Sequence, residues 1–189
     1  MKTKILNLLA SLVVLFSGIL TAQKTEISGV TIPKTYSFNN KNLVLNGSSI
    51  REKYFMDIYI GSLYLESKSN NAKEIVNSES DMGFRLKIVS SLITSSKMKD
   101  GIKESFGKVA KQYPVDPAVF NKFLNLFNEK INKGDEFFIA YNVTNGMMIY
   151  KNKALIGTIK NLPLKKALYS TWLNNAISKN FSSQVLNGN

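Results

Sequence analysis

Two side chains could do chemistry together. Arg51 is one of only two arginines in the chain, the other being Arg85, and every other basic residue is lysine. A guanidinium is a planar fork of donors that matches a carboxylate or phenolate bidentately, where lysine offers a point charge. Tyr59 follows eight residues later and carries a phenol that can donate to the same anion. On a straight strand that separation spans about 26 Å. Both can reach one headgroup only if the chain bends between them, and Glu52 to Phe55 must supply the bend. Taken singly, each has a commoner fate: a surface arginine beside a turn, and a strand tyrosine in the core. Asp57 is a further candidate, as a partner for Arg51 or for a lysine.

Other candidates are weaker. Arg85 and Lys87 share one face of a strand and could line a polar mouth, with solvent the commoner place for them. Phe120, Phe123 and Phe127 could floor an apolar pocket, although a stripe at helical spacing is usually plain core. Asn46, Asn142 and Asn180 each begin a glycosylation triplet, but asparagine is frequent enough for chance to produce them. The chain has no cysteine and no histidine. That removes the usual zinc sites, thiolate nucleophiles and histidine triads, and no metal or cofactor is expected.

The formal net charge is +12. The lysines are scattered, with Lys165-Lys166 the only adjacent pair, so no basic face for nucleic acid is expected. Solvated lysines are the plainest account. Weak association with an anionic membrane surface or an acidic ligand is the next.

The elements that must position Arg51 and Tyr59 begin with Leu43–Glu66. Asn46-Gly47-Ser48-Ser49 reads as a tight hairpin turn, followed by a strand rich in tyrosine and isoleucine. Gly61 inside that strand marks a bulge or a close backbone approach. Lys24–Pro33 reads as a strand upstream, and Tyr36–Asn42 as a polar connection. A short helix is predicted at Ala72–Val76 and a strand at Met82–Ser90, with Phe84, Leu86 and Ile88 on one face. Thr94 to Ser96 offer cap oxygens for a helix whose apolar face is Met98, Ile102, Phe106, Val109 and Tyr113. Asp116-Pro117 starts another helix, with Phe120, Phe123, Leu124, Phe127 and Ile131 inward. Glu136–Val143 and Met147–Tyr150 read as a hairpin, and Ala154–Ile159 as a strand. A last major helix starts at Pro163, with Leu164, Ala167, Leu168 and Trp172 inward and Lys165 and Lys166 outward. Residues 175–189 read as polar, with one short helix and a frayed end. Antiparallel hairpins without βαβ alternation argue an α+β fold, an antiparallel sheet with helices on one face.

Residues 1–22 read as a secretory signal, with an uncleaved N-terminal anchor as the alternative: Lys2 and Lys4, an apolar run from Ile5 to Leu20, and small residues before Gln23. A periplasmic or secreted protein follows, with residues 23–189 as one domain and a monomer.

The order of several motifs resembles the chalcone isomerase-like family, bacterial secreted members included, from about Gly29 to Leu173. The motifs are Leu45-Asn46-Gly47 with Arg51, Tyr64-Leu65-Glu66, and the strand Phe84–Ser90 leading into a lysine-rich helix. Lys133-Gly134-Asp135, Ile156-Gly157-Thr158-Ile159 and Thr171-Trp172-Leu173 complete the series. The resemblance implies an open-faced β-sandwich, a large antiparallel sheet with helices packed on one face. It also implies a divided function. Plant enzymes of the family close a flavanone ring with an arginine, a threonine, a tyrosine and an asparagine around a water, whereas plastid relatives bind fatty acids with the arginine and a tyrosine. Arg51 matches the shared arginine. Tyr59 falls where the enzymes have threonine and the binders tyrosine, although the enzymes carry more residues between the two positions. Lys97 and Glu104 fall where the enzymes have their tyrosine and asparagine. The expectation is a non-catalytic binder of a small apolar carboxylate or phenolic ligand, such as a fatty acid. The alternatives are an isomerase, a chalcone isomerase-type intramolecular lyase, and an interaction module without a ligand.

Overall fold

The computed structural model describes residues 25–188, so the expected signal at 1–22 lies outside the described residues. The chain opens with a small hairpin, β1 (Thr25–Ile27) and β2 (Val30–Ile32). The Lys24–Pro33 segment is thus two strands and not one, because Ser28 and Gly29 both adopt positive φ and turn it back. Seven strands then form one antiparallel meander in chain order: β3 (Thr35–Phe38), β4 (Lys41–Lys53), β5 (Met56–Leu65), β6 (Met82–Ile88), β7 (Glu136–Asn142), β8 (Gly146–Lys151) and β9 (Ala154–Ile159). Helix α1 (Ala72–Asn77) lies between β5 and β6. Helices α2 (Ser95–Gly107) and α3 (Pro117–Asn125) lie between β6 and β7, and α4 (Leu162–Leu173) and α5 (Lys179–Asn187) follow β9.

The helices form a layer on one face of the sheet. Cross-strand partners share a face, and Leu63, Phe84, Ile139 and Ile149 form one inward row across β5 to β8. That row is buried under Leu168, Trp172 and Phe181 from α4 and α5. Trp172 stacks on Phe84 with ring centroids 4.0 Å apart. The opposite face carries a smaller aromatic cluster, with Tyr36 stacked on Phe138 at 3.9 Å and Tyr64 beside both. Gly83 makes room there, since a Cβ would fall 2.0 Å from the Phe138 ring. This is the α+β open-faced sandwich that the sequence implies.

Several local expectations are corrected. Asn46-Gly47-Ser48-Ser49 is not a turn, because β4 runs straight through it with a bulge between Leu45 and Gly47. Asn46 is instead a bracket for the C-terminal helix, donating from Nδ2 to the carbonyls of Val185 and Leu186 at 3.0 Å each and accepting from the Ser69 N–H. The real turn is Tyr54-Phe55, both with positive φ. Gly61 is not bulged; a Cβ there would meet the rings of Phe181 and Phe84. Helix α2 ends at Gly107, short of Pro114, and Phe127 and Ile131 lie beyond the end of α3 while remaining buried. Arg85 does not face solvent. It is buried on the open face and pairs with Glu136, Nε to Oε2 at 2.8 Å. Lys165 points inward, fully buried against the end of α1. The short helix expected within 175–189 is there as α5, and its Phe181, Ser182 and Val185 are buried.

Candidate ligand-binding site

The turn at Tyr54-Phe55 folds β5 back on β4, so that Arg51 and Tyr59 become direct cross-strand partners. The bend required between them is there, within Glu52–Phe55. Both side chains project to the helix-covered face, as do Ser49 and Gly61 in the next pair along. Both line a cavity of about 280 Å³ between the sheet and helices α2 and α4. Its volume is near the lower end of the usual range for small-molecule sites.

The walls are apolar and come from every layer. Ile58, Leu86 and Ile139 line the sheet side; Met98, Ile102 and Phe106 come from α2; Leu168 and Trp172 come from α4. The α2 contribution follows from its sequence: Thr94 accepts from the Lys97 N–H as N-cap, and the apolar residues then recur on one side. Asp116 caps α3 in the same way, accepting from the amides of Ala118 and Val119. Phe123 and Phe127 line the cavity as the aromatic stripe suggests, while Phe120 does not and stacks on Phe106 instead, at 4.1 Å.

The polar groups at the cavity differ in whether they are engaged. Ser105 Oγ donates to the Gly101 carbonyl at 2.8 Å, and Thr171 Oγ1 to the Ala167 carbonyl at 2.9 Å. Lys53 pairs with Glu104 at 2.7 Å, and Lys97 Nζ reaches the Leu92 carbonyl at 3.1 Å. Asp57 is not a partner of Arg51; it accepts from Ser28 Oγ. Among the described residues no carboxylate comes within ion-pair distance of Arg51. The half-buried guanidinium therefore stands at an apolar cavity with no carboxylate in contact, although the Glu104 carboxylate, paired with Lys53, is near enough to feel its charge.

Tyr59 is buried. Burial pushes its phenol up to about 12, against the pull of the Arg51 charge and of the Trp172 indole N–H. A phenol so placed stays protonated at neutral pH. It donates a hydrogen bond and does not abstract a proton. The pair thus offers a cation and a neutral donor side by side, which suits a carboxylate or phenolate whose apolar remainder fills the cavity.

Sequence reading identified Arg51 and Tyr59 but not what surrounds them. Trp172 was expected only as an inward core residue, and its position beside Tyr59 depends on how α4 lies across the sheet. Lys97, which falls at the family's tyrosine position, lines the cavity, whereas Glu104 at the asparagine position does not. Tyr113 does not line it either. The phenols on the lining are Tyr59 and, at the turn, Tyr54.

A family model described as chalcone isomerase-like matches residues 24–186. Comparison with curated protein sequences finds no match. Among solved structures, the chain is similar to the crystal structure of a fatty-acid binding protein from Arabidopsis thaliana. The TM-score is 0.72 at 16% sequence identity, over 84% of this chain and 92% of that one. At that identity the likeness is one of fold.

Proposed function

The chain belongs to the chalcone isomerase-like family, and on that premise we propose that it is an exported, non-catalytic binder of a small apolar anion such as a fatty acid. The observation that carries this reading is the Arg51 guanidinium, with no carboxylate in ion-pair contact among the described residues, beside the Tyr59 phenol on an apolar cavity. A carboxylate would take the two parallel donors of Arg51 and the hydroxyl of Tyr59, and an acyl chain would lie against Leu86, Phe106, Phe123 and Ile139. The fatty-acid binding protein that shares the fold supports the ligand class.

The lyase reading has less support. Lys97 and Glu104 hold no phenol or amide at the positions that match the enzymes' tyrosine and asparagine, and the Tyr59 phenol is held protonated. Chalcone cyclisation should stay at the buffer rate. Saturable turnover that is lost in Arg51→Ala would promote the enzyme.

Titration of a fluorescent fatty acid at low and high salt tests the binding site. Arg51→Ala should weaken binding by tenfold or more, since hydrogen bonds to charged groups contribute about 1.5–3 kcal/mol each. Arg51→Lys keeps the charge but loses the fork, and should fall between Arg51→Ala and the parent. Tyr59→Phe should cost least. Equal affinity across all four proteins, with binding abolished by salt, would assign the affinity to bulk charge. It would leave the interaction-module reading in place.

A further inference from the structure

The turn that joins Arg51 to Tyr59 has an unexpected composition. Its two residues, Tyr54 and Phe55, both hold positive φ, at 52° and 61°. Such turns favour Asn-Gly, because a side chain is strained there. Two aromatics in these positions carry that strain, and they are also exposed: Tyr54 at 78% and Phe55 at 106%. Within the hairpin the Tyr54 ring has Lys53 Nζ 5.5 Å from its centroid, whereas Phe55 is fully exposed. The neighbouring Met56 is 39% exposed, and Leu92, on the loop before α2, is 49% exposed. Tyr54, Met56 and Leu92 all line the cavity, so this apolar rim is its mouth. Exposed apolar residues gathered in this way, and not scattered singly, mark an interaction surface.

The charge around the rim indicates the partner. Lys53 and Lys97 line the same mouth as Arg51, against one carboxylate, Asp100. Residues 95–113, which include α2, carry five lysines against Asp100 and Glu104. Glu104 is already matched by Lys53, and the four charges of the hairpin tip itself balance, Arg51 and Lys53 against Glu52 and Asp57. An aromatic tip beside a lysine surplus suits the interface of an anionic bilayer, where amphipathic rings settle at headgroup level and lysines meet negative lipid. We infer that the Tyr54–Phe55 tip and Leu92 dock on an anionic lipid surface, bringing the cavity mouth to the membrane. An acyl chain could then pass between bilayer and cavity without crossing water.

Vesicle flotation without fatty acid tests this independently of the cavity ligand. The probes are phosphatidylcholine vesicles with and without phosphatidylglycerol. The parent should float with the anionic vesicles and not with the neutral ones. Phe55→Ser and Leu92→Ser should each weaken binding about tenfold, the effect of losing one inserted apolar side chain. Lys97→Gln should weaken it about fivefold. Val143→Ser removes a residue that is 54% exposed at the opposite end of the strands, and should change nothing. Phe55→Trp should show a blue-shifted emission on the anionic vesicles. A parent that floats with neither vesicle, or a Phe55→Ser variant that binds as the parent does, overturns the inference. A protein partner would then be the occupant of the rim.

Discussion

Lys165 carries its ammonium into a fully buried position, and its neighbours explain how. Helix α1 is only six residues long and ends with carbonyls that have no partner inside the helix. Lys165 Nζ donates to three of the carbonyls there, those of Ile75, Val76 and Ser78, at 3.2, 2.8 and 2.7 Å. The rings of Tyr141 and Tyr169 lie 5.0 and 5.4 Å from the same nitrogen. These contacts fasten α1 to α4 and favour the charge. Burial acts against it and lowers the amine to about 8, assisted by the neighbouring Lys166. An unfolded lysine titrates near 10.5. Between about 8 and that value the unfolded chain holds more protons than the folded one, so stability rises with pH, and below 8 the penalty is present in full. Lys165→Met should lose roughly 1–3 kcal/mol at neutral pH, because three buried carbonyls lose their donor. Its deficit against the parent should widen from pH 8 to 9.5, by up to about 1.4 kcal/mol per unit. Urea melts across that range read both effects. A constant deficit would mean that the carbonyls and rings offset burial completely.

At the scale of elements, strand β4 organises the helix layer through two adjacent residues. Asn46 holds the carbonyls at the end of α5, and Gly47 lets that helix approach until a Cβ would lie 2.3 Å from the Gln184 carbonyl oxygen. Gly47→Ala should therefore displace α5 and cost roughly 1–3 kcal/mol. Gly101→Ala, inside α2 with nothing within 4 Å of its Cβ, should instead stabilise by about 0.5–1 kcal/mol. Opposite shifts in the two denaturation midpoints would confirm the contrast, and equal shifts would remove the close-approach argument. The same dipeptide shows where sequence reading reaches its limit. Asn-Gly between apolar runs signals a turn, but here the pair serves contact with a helix 140 residues away in sequence. The real turn, Tyr54-Phe55, has no signal in its residue types. Features written in local chemistry were legible: the caps at Thr94 and Asp116, the hairpin across Thr144-Asn145-Gly146, and the inward rows of α2 and β6. Lys165 and Arg85 were not, because each is buried by a partner from a distant element, and no pattern within their own helix or strand records it. Arg51 and Tyr59 could be singled out as a pair, but their proximity depended on a turn that only the fold reveals.

At the scale of the whole molecule, the buried core, which among the described residues starts at Ile32, is held without disulfides, since the chain has no cysteine. The sheet is closed by helices on one side. On the other, aromatic stacking and the buried Arg85–Glu136 pair occupy much of the face. The proposed export signal precedes β1 in the sequence, with Gln23 two positions before Thr25. If residues 1–22 serve only as an address that is removed on export, the protein isolated from its native source should begin at or near Gln23. A recombinant chain starting at Gln23 should also unfold at the parent's urea midpoint, to within about 0.5 kcal/mol, and bind the fluorescent fatty acid equally well. N-terminal sequencing and the paired melts measure this. A native protein beginning at Met1 would remove the cleaved-signal reading. A truncated chain that keeps its fold but loses the fatty acid would assign residues 1–22 a part in the site that the Arg51–Tyr59 geometry does not require.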